Sequence, residues 1–155
     1  MRRIAFALLV AAGACVPEQG PTMLPGENCL GCHGGVPAAA GGGGGEGEGD
    51  DGRPWTFAGT VYRAANAPAS GGVKGAVVEV TDANGRSLSV HTNLVGNFYS
   101  AESMSPPLKP CVAYQGVTRC MPVTAPHGAC NFCHAQPPRG GAPGRIVAGG
   151  PQAPL

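Results

Sequence analysis

Short runs of alternating apolar and polar residues occupy the middle of the chain and predict β-strands. Residues 55–62 alternate so that Trp55, Phe57 and Val61 share one face. Residues 76–81 form a β-branched run that leads into an Asn-Gly turn signal, and residues 86–92 alternate again, with Leu88 and Val90 inward. A fourth short run follows at 97–100. Closely spaced strands and turns of this kind predict an all-β chain, built as a small antiparallel β-sandwich.

A further hairpin is predicted over residues 109–121, where two β-branched runs flank Gln-Gly at 115–116. Counting outward from a two-residue turn there pairs Cys111 with Cys120. The alternation of hydrogen-bonded and non-bonded pairs makes this a non-bonded pair, with Cα atoms about 4.5 Å apart. That distance lies at the short end of disulfide geometry, and we predict a cross-strand disulfide.

Two copies of Cys-X-X-Cys-His, at 29–33 and 130–134, lie far apart in the chain. This spacing lets two thiols bond the two vinyl groups of one haem as thioethers, while the adjacent histidine reaches the iron from the same side. The pattern predicts two haem c groups. The thioethers would come from Cys29, Cys32, Cys130 and Cys133, and the proximal iron ligands would be His33 and His134.

Zinc is the main alternative, because two separated Cys-X-X-Cys pairs can also form a tetrathiolate site. Such a zinc bridge through Cys29, Cys32, Cys130 and Cys133 requires neither of the histidines that follow the pairs. Disulfides within each pair, or a redox-active dithiol, form a second alternative. A thioredoxin-like motif is expected among alternating strands and helices, and the sequence contains no such pattern.

The N-terminus has the layout of a secretory signal peptide. Arg2 and Arg3 precede an apolar run that is too short to span a membrane. The run ends in Ala-Gly-Ala-Cys, which resembles the lipobox of bacterial lipoproteins, with Ala12 where Leu is commonest. We predict a signal peptide over 1–14, lipid attachment at Cys15, and export to the periplasm or outer membrane; ordinary cleavage nearby is the alternative.

The composition divides the chain into unlike segments. Residues 15–52 hold the lipid anchor, the first motif and a glycine-rich run that predicts a flexible linker. The first motif is therefore either docked onto the later domain by its own iron ligands or carried on a tether. Residues 53–121 form the β-sandwich and 122–137 the second motif segment. Residues 138–155, rich in Pro and Gly, are predicted to be a disordered tail. The formal charge of +1 does not suggest a nucleic-acid partner.

Three segments of the predicted sandwich resemble carboxypeptidase regulatory-like domains. They are Phe-Ala-Gly-Thr-Val-Tyr at 57–62, Gly-Val-Lys-Gly-Ala-Val-Val-Glu-Val at 72–80 and Thr-Asn-Leu-Val-Gly-Asn-Phe at 92–98. The resemblance implies a prealbumin-like β-sandwich that serves as a scaffold or binding module without catalytic residues. With the flanking haem motifs and the export signal, the whole chain resembles bacterial lipoprotein multihaem cytochromes.

The distal iron ligands must come from the remaining histidines or from methionine. With four histidines and two motifs, bis-histidine ligation is the economical hypothesis. His127 lies three residues before the second motif, too close to wrap around the same haem. We therefore assign His127 to the first haem and His91 to the second, which would bring the two motifs together. Met121 is the alternative ligand, ahead of Met104 and Met23.

These features predict an exported, lipid-anchored dihaem cytochrome that relays single electrons between redox partner proteins of the cell envelope. The protein would carry no catalytic residues of its own, since no paired carboxylates, phosphate loop or nucleophile constellation is evident. A different class is a β-sandwich binding or sensory module, in which haem is structural or binds small ligands.

Overall fold

The computed structural model describes residues 20–34 and 53–149. The predicted signal peptide, Cys15 and the glycine-rich linker lie outside the described residues, as do residues 150–155. In chain order the elements are α1 (Leu30–His33), β1 (Phe57–Tyr62), a 3-10 turn (Ala69–Gly71), β2 (Val77–Thr81), β3 (Ser87–His91), β4 (Asn97–Ser100), β5 (Lys109–Tyr114), β6 (Val117–Cys120), β7 (Gly128–Ala129), α2 (Cys130–Cys133) and β8 (Ile146–Val147). No helix among these is long and apolar enough to cross a membrane.

The strands form two four-stranded sheets. In the first sheet, β4 pairs antiparallel with one edge of β1, while β7 and β8 pair in parallel with the start and the end of its other edge. The second sheet has the order β3-β2-β5-β6 and is antiparallel throughout. The prediction of an all-β chain is confirmed. The two parallel pairings depart from the expected antiparallel pattern, and both are made by residues that follow the hairpin.

Both sheets bury apolar side chains in one core, which includes Phe57, Val61, Phe98, Val78, Val80 and Val112. Leu88 and Val90 pack against this core as predicted. Trp55 was predicted to share the face of Phe57, but it packs in a second cluster with Tyr99 and Ala58. Every residue of β1 is buried, because the core covers one face and the motif segments cover the other.

The β5–β6 hairpin has the predicted register. Cys111 faces Cys120, and a disulfide joins them across a Cα–Cα distance of 3.9 Å. At the turn, Gln115 and Gly116 have φ values of 49° and 79°, both positive as a two-residue type I′ turn requires. The predicted disulfide is therefore confirmed.

The prediction of a disordered tail is wrong as far as residue 149. Ile146 and Val147 form β8 beside β1, and Ala148 is buried in the core. Arg145 lies over the ring of Tyr62. The apolar run 146–148 is too short to show a strand period in the sequence. It is stabilised by pairing with the part of the β1 edge that β7 does not cover.

Candidate functional site

Each Cys-X-X-Cys-His motif forms a single helical turn. The backbone N–H of His33 donates to the Cys29 carbonyl at 2.8 Å, and that of His134 donates to the Cys130 carbonyl at 3.0 Å. Residues three apart lie on the same side of such a turn, so the two cysteines of each motif share a face. Within the described residues neither motif contains an internal disulfide. This arrangement suits two thioether bonds to one planar group.

Asn131, inside the second motif, connects that motif to β1 and to the first motif. Its Oδ1 accepts a hydrogen bond from the Thr60 backbone N–H at 2.9 Å. Its Nδ2 donates to Thr60 Oγ1 at 3.0 Å and to the carbonyl of Glu27, two residues before Cys29, at 2.8 Å. Because β7 pairs with β1 only at Phe57 and Ala58, the Asn131 amide continues the hydrogen bonding along this edge. Both motifs are thus tied to one strand.

The segment 20–34 is docked on the first sheet by a buried polar network. Thr60 Oγ1 accepts from the Gly26 N–H at 2.9 Å and donates to Asn97 Oδ1 at 2.8 Å. Asn97 Nδ2 in turn donates to the Met23 carbonyl at 2.8 Å. Leu30, 1% exposed, adds an apolar contact with Ala58 and Ala129. The described residues of the segment are thus docked, but through hydrogen bonds and Leu30, whereas the sequence predicted docking through iron ligands.

The hydrogen bond of the His134 ring leaves Nε2 as the nitrogen that could bind iron. Its Nδ1 lies 2.8 Å from the carbonyl oxygen of Gly144. A carbonyl can only accept, so in the neutral ring Nδ1 carries the proton and Nε2 carries the lone pair. Metal-binding histidines usually make such an outer hydrogen bond, which fixes the tautomer and the ring orientation. The chain therefore fits a proximal iron ligand at Nε2 of His134.

The ring of His33 is held by an aromatic stack. It lies on Trp55 with centroids 4.2 Å apart and an interplanar angle of 16°, and Trp55 lies on Tyr99 at 4.1 Å and 8°. The backbone N–H of Trp55 also donates to the backbone carbonyl of His33 at 2.7 Å. Face contact and backbone bond together fix the orientation of the imidazole in the first motif.

His127 lies beside the second motif, with its ring edge-on to Phe132. Its Nδ1 accepts the backbone N–H of Ala129 at 3.3 Å, so the neutral ring carries its proton on Nε2. Binding of iron through Nε2 would require this hydrogen bond to break. His127 directly precedes β7, which contacts α1 of the first motif. The assignment of His127 to the first haem stays a prediction.

The other candidate distal ligands lie elsewhere. His91 is exposed on the face of β3 that points away from the shared core, whereas the motifs pack on the other sheet, so the structure does not bring His91 to the second motif. Met104 is buried in the core. Met121 follows β6 at the base of the hairpin, where its N–H donates to Pro110. Met23 lies in the segment of the first motif.

The first thiol of each motif is protected from ionisation. Burial raises the pKa of Cys29 to about 11 and that of Cys130 to about 12. The nearby Cys29 thiol contributes to the rise at Cys130, which again places the two motifs side by side. Catalytic thiols of disulfide oxidoreductases need a lowered pKa. The structure therefore disfavours the redox-dithiol alternative.

The motif cysteines do not converge as a zinc ribbon requires. Among the residues that the structure describes, no group of three or more His, Cys, Asp or Glu side chains could hold a metal ion. The two cysteine pairs belong to separate helical turns, and the tetrathiolate alternative stays a hypothesis.

No family model, curated protein or solved structure matches this chain. The resemblance to carboxypeptidase regulatory-like domains and to lipoprotein cytochromes therefore stays a prediction.

Three polar residues of the site were not identified from the sequence, namely Thr60, Asn131 and Arg145. For Thr60, the strand pattern shows only that it lies on the face of β1 opposite Phe57 and Val61. Thr60 is 0% exposed, because the motif segments cover that face. Asn131 and Arg145 lie at positions where neither the motif nor the tail composition specifies a residue type.

The raised pKa values predict slow alkylation of Cys29 and Cys130 in the full chain produced without haem attachment. At pH 8 a thiol with a pKa near 11 has about 100-fold less thiolate than one at 9.0, the ordinary value, so labelling should be about 100-fold slower than in urea. The rate should keep rising to about pH 11 instead of levelling near pH 9. Iodoacetamide labelling followed by peptide mass spectrometry measures both, with circular dichroism to establish that the chain is folded; equal rates in folded and unfolded chains would contradict the prediction.

Proposed function

We propose that this chain is an exported, lipid-anchored dihaem c-type cytochrome that relays single electrons between partner proteins of the bacterial cell envelope. The observation that carries the proposal is the presence of two complete Cys-X-X-Cys-His motifs, each folded as a helical turn and both bound to β1. When bound, each haem supplies an iron that exchanges one electron between its ferrous and ferric states. The prealbumin-like sandwich serves as the scaffold.

The residues of the chain support this use. Each cysteine pair shares the face of one turn, and His134 offers Nε2 while its Nδ1–H is bonded to Gly144. The Asn131 bond to Glu27 keeps the two motifs adjacent, which favours electron exchange within one chain because transfer slows steeply with distance. Burial of Thr60 and Asn131 keeps water out of the contact between the motifs.

A second candidate is a sensory or binding module in which one iron keeps a position open for a small ligand. One observation favours it: His91 is exposed on the other sheet and His127 uses Nδ1 to accept from Ala129, so neither is poised as a distal ligand. Carbon monoxide binding to the reduced protein separates the two candidates. Rapid binding at one haem supports the sensory module, and no binding supports the electron relay.

The proposal is tested by the covalent haem count of protein made in a host that attaches haem to c-type cytochromes. We expect a mature chain that carries two haem masses in intact mass spectrometry, and a haem spectrum that survives extraction with acidified organic solvent. The double variant Cys29→Ala/Cys32→Ala should retain one haem. The control Cys111→Ala/Cys120→Ala should retain both, since these residues form the hairpin disulfide. A chain without either haem mass would overturn the proposal.

A further inference from the structure

A half-buried arginine, Arg145, lies beside the first motif with part of its hydrogen-bonding capacity unused. The guanidinium of Arg145 sits over the ring of Tyr62, with Cζ 3.9 Å from the ring centroid. Its Nε and Nη1 are buried and have no well-aligned hydrogen-bond partner among the residues that the structure describes. Arg145 forms no ion pair with any residue that the structure describes. The three N–H bonds of Nε and Nη1 thus lie together, with the Tyr62 hydroxyl oxygen as the one neutral acceptor beside them among the described residues.

These donors converge against the backbone of Gly26, three residues before Cys29. A Cβ added at Gly26 would lie 2.4 Å from the Tyr62 hydroxyl oxygen and 3.6 Å from Arg145 Nη1. The φ of +91° also favours glycine at this position. Burial raises the pKa of Tyr62, the charge of Arg145 opposes this rise, and the nearby Cys29 thiol adds to it. The donors therefore adjoin the first motif.

The contact with the ring does not satisfy the guanidinium. A cation–π contact uses the face of the planar group, whereas its N–H bonds point outward in the plane. Buried donors of a charged group are strongly unfavourable without an acceptor, and native structures rarely leave them so. A carboxylate matches the charge of these donors, because its oxygens carry several lone pairs and can accept from a guanidinium N–H and from the phenol at the same time.

We propose that Arg145 and Tyr62 form a carboxylate-binding site next to Cys29. The inference rests on the proposed function only for the source of the carboxylate. In a chain with haem at the first motif, the carboxylate is a propionate of that haem. In a chain without it, the site takes a free carboxylate of a small molecule. Through this contact, the segment that follows the second motif helps to build the environment of the first.

The test compares the mature full-length protein with Arg145→Gln, Arg145→Lys and Tyr62→Phe. Arg139→Gln is the matched control, because Arg139 lies in the same C-terminal segment but is exposed over Phe132. Resonance Raman spectra of the propionate bending modes report a haem carboxylate. Titration of the same proteins with acetate, followed by thermal denaturation, reports a free carboxylate. The Raman readout requires haem, whereas the acetate readout is measured on the chain with or without it.

If the propionate is bound, its bending band shifts in Arg145→Gln and Tyr62→Phe, shifts less in Arg145→Lys and does not move in Arg139→Gln. If a free carboxylate is bound, the Raman bands stay unchanged, acetate raises the melting temperature, and Arg145→Gln weakens acetate binding at least about tenfold. Unchanged Raman bands together with no specific effect of acetate would overturn the inference. Absence of haem would instead overturn the proposed function, and the acetate arm would still test the site.

Discussion

Replacing Gly128 with alanine is expected to prevent the second motif from docking on β1. An added Cβ would lie 2.1 Å from the Thr56 carbonyl oxygen and 2.4 Å from the Cβ of Phe57. Phe57 begins β1 and Thr56 directly precedes it, and both are held by Ser100 of β4, so rotating a flexible side chain cannot relieve the collision. We expect a loss of about 4 kcal/mol or more in the free energy of unfolding, at the upper end of single substitutions.

The control for this substitution is Gly141→Ala. The added methyl group at Gly141 meets nothing within 4 Å, so its cost is only that of the positive φ of +78°, roughly 1–2 kcal/mol. Chemical denaturation of the two mature proteins, with the haem count per chain, measures the difference. Equal stabilities would show that β7 is not held against β1 as described.

The change Asn131→Asp is expected to loosen the contact between the two motifs while keeping the size of the side chain. One carboxylate oxygen can still accept from the Thr60 N–H, but the donor to the Glu27 carbonyl and to Thr60 Oγ1 is lost. A carboxylate oxygen of the introduced Asp would then face the buried carbonyl oxygen of Glu27. Two lost hydrogen bonds and this repulsion should lower the free energy of unfolding by about 3 kcal/mol.

Two readouts separate this effect from general destabilisation. Hydrogen exchange should accelerate in residues 20–34 more than in the β5–β6 hairpin, because Asn131 binds Glu27 but does not contact the hairpin. Lowering the pH should restore part of the stability, since the introduced carboxyl group can then donate again. Asn66→Asp, at an exposed loop position, is the control and should behave like the parent. Uniform acceleration across both sheets would count against the described role of Asn131.

The parts of the fold that could be predicted depend on local pattern. The alternation at 86–92 correctly placed Leu88 and Val90 in the core. The hairpin register followed from the turn alone, because once Gln115 and Gly116 form the turn, every later pair is determined. The two motif turns likewise depend on residues within five positions of each other.

The rest depends on contacts between distant residues that no local pattern contains. The Asn131 bonds to Thr60 and Glu27 span 71 and 104 positions of the chain. Alternation alone placed Trp55 with Phe57, but Trp55 precedes the start of β1 and stacks on His33 instead. The docking of Arg145 on Tyr62 escaped prediction because Pro- and Gly-rich composition says nothing about a two-residue strand.

The way β1 acquires its neighbours bears on the timing of maturation. Along one edge, β1 pairs only with β7 and β8, which lie near the C-terminal end of the described residues. Asn131, which binds the segment of the first motif, lies in the same late part of the chain. These parts follow the first motif by about 100 positions, so the contact can form only after most of the chain is in place. Until residues 128–147 emerge, Cys29 and Cys32 therefore lie in a segment that still lacks its final support. An incompletely folded chain therefore keeps Cys29 accessible, whereas the folded chain buries its thiol.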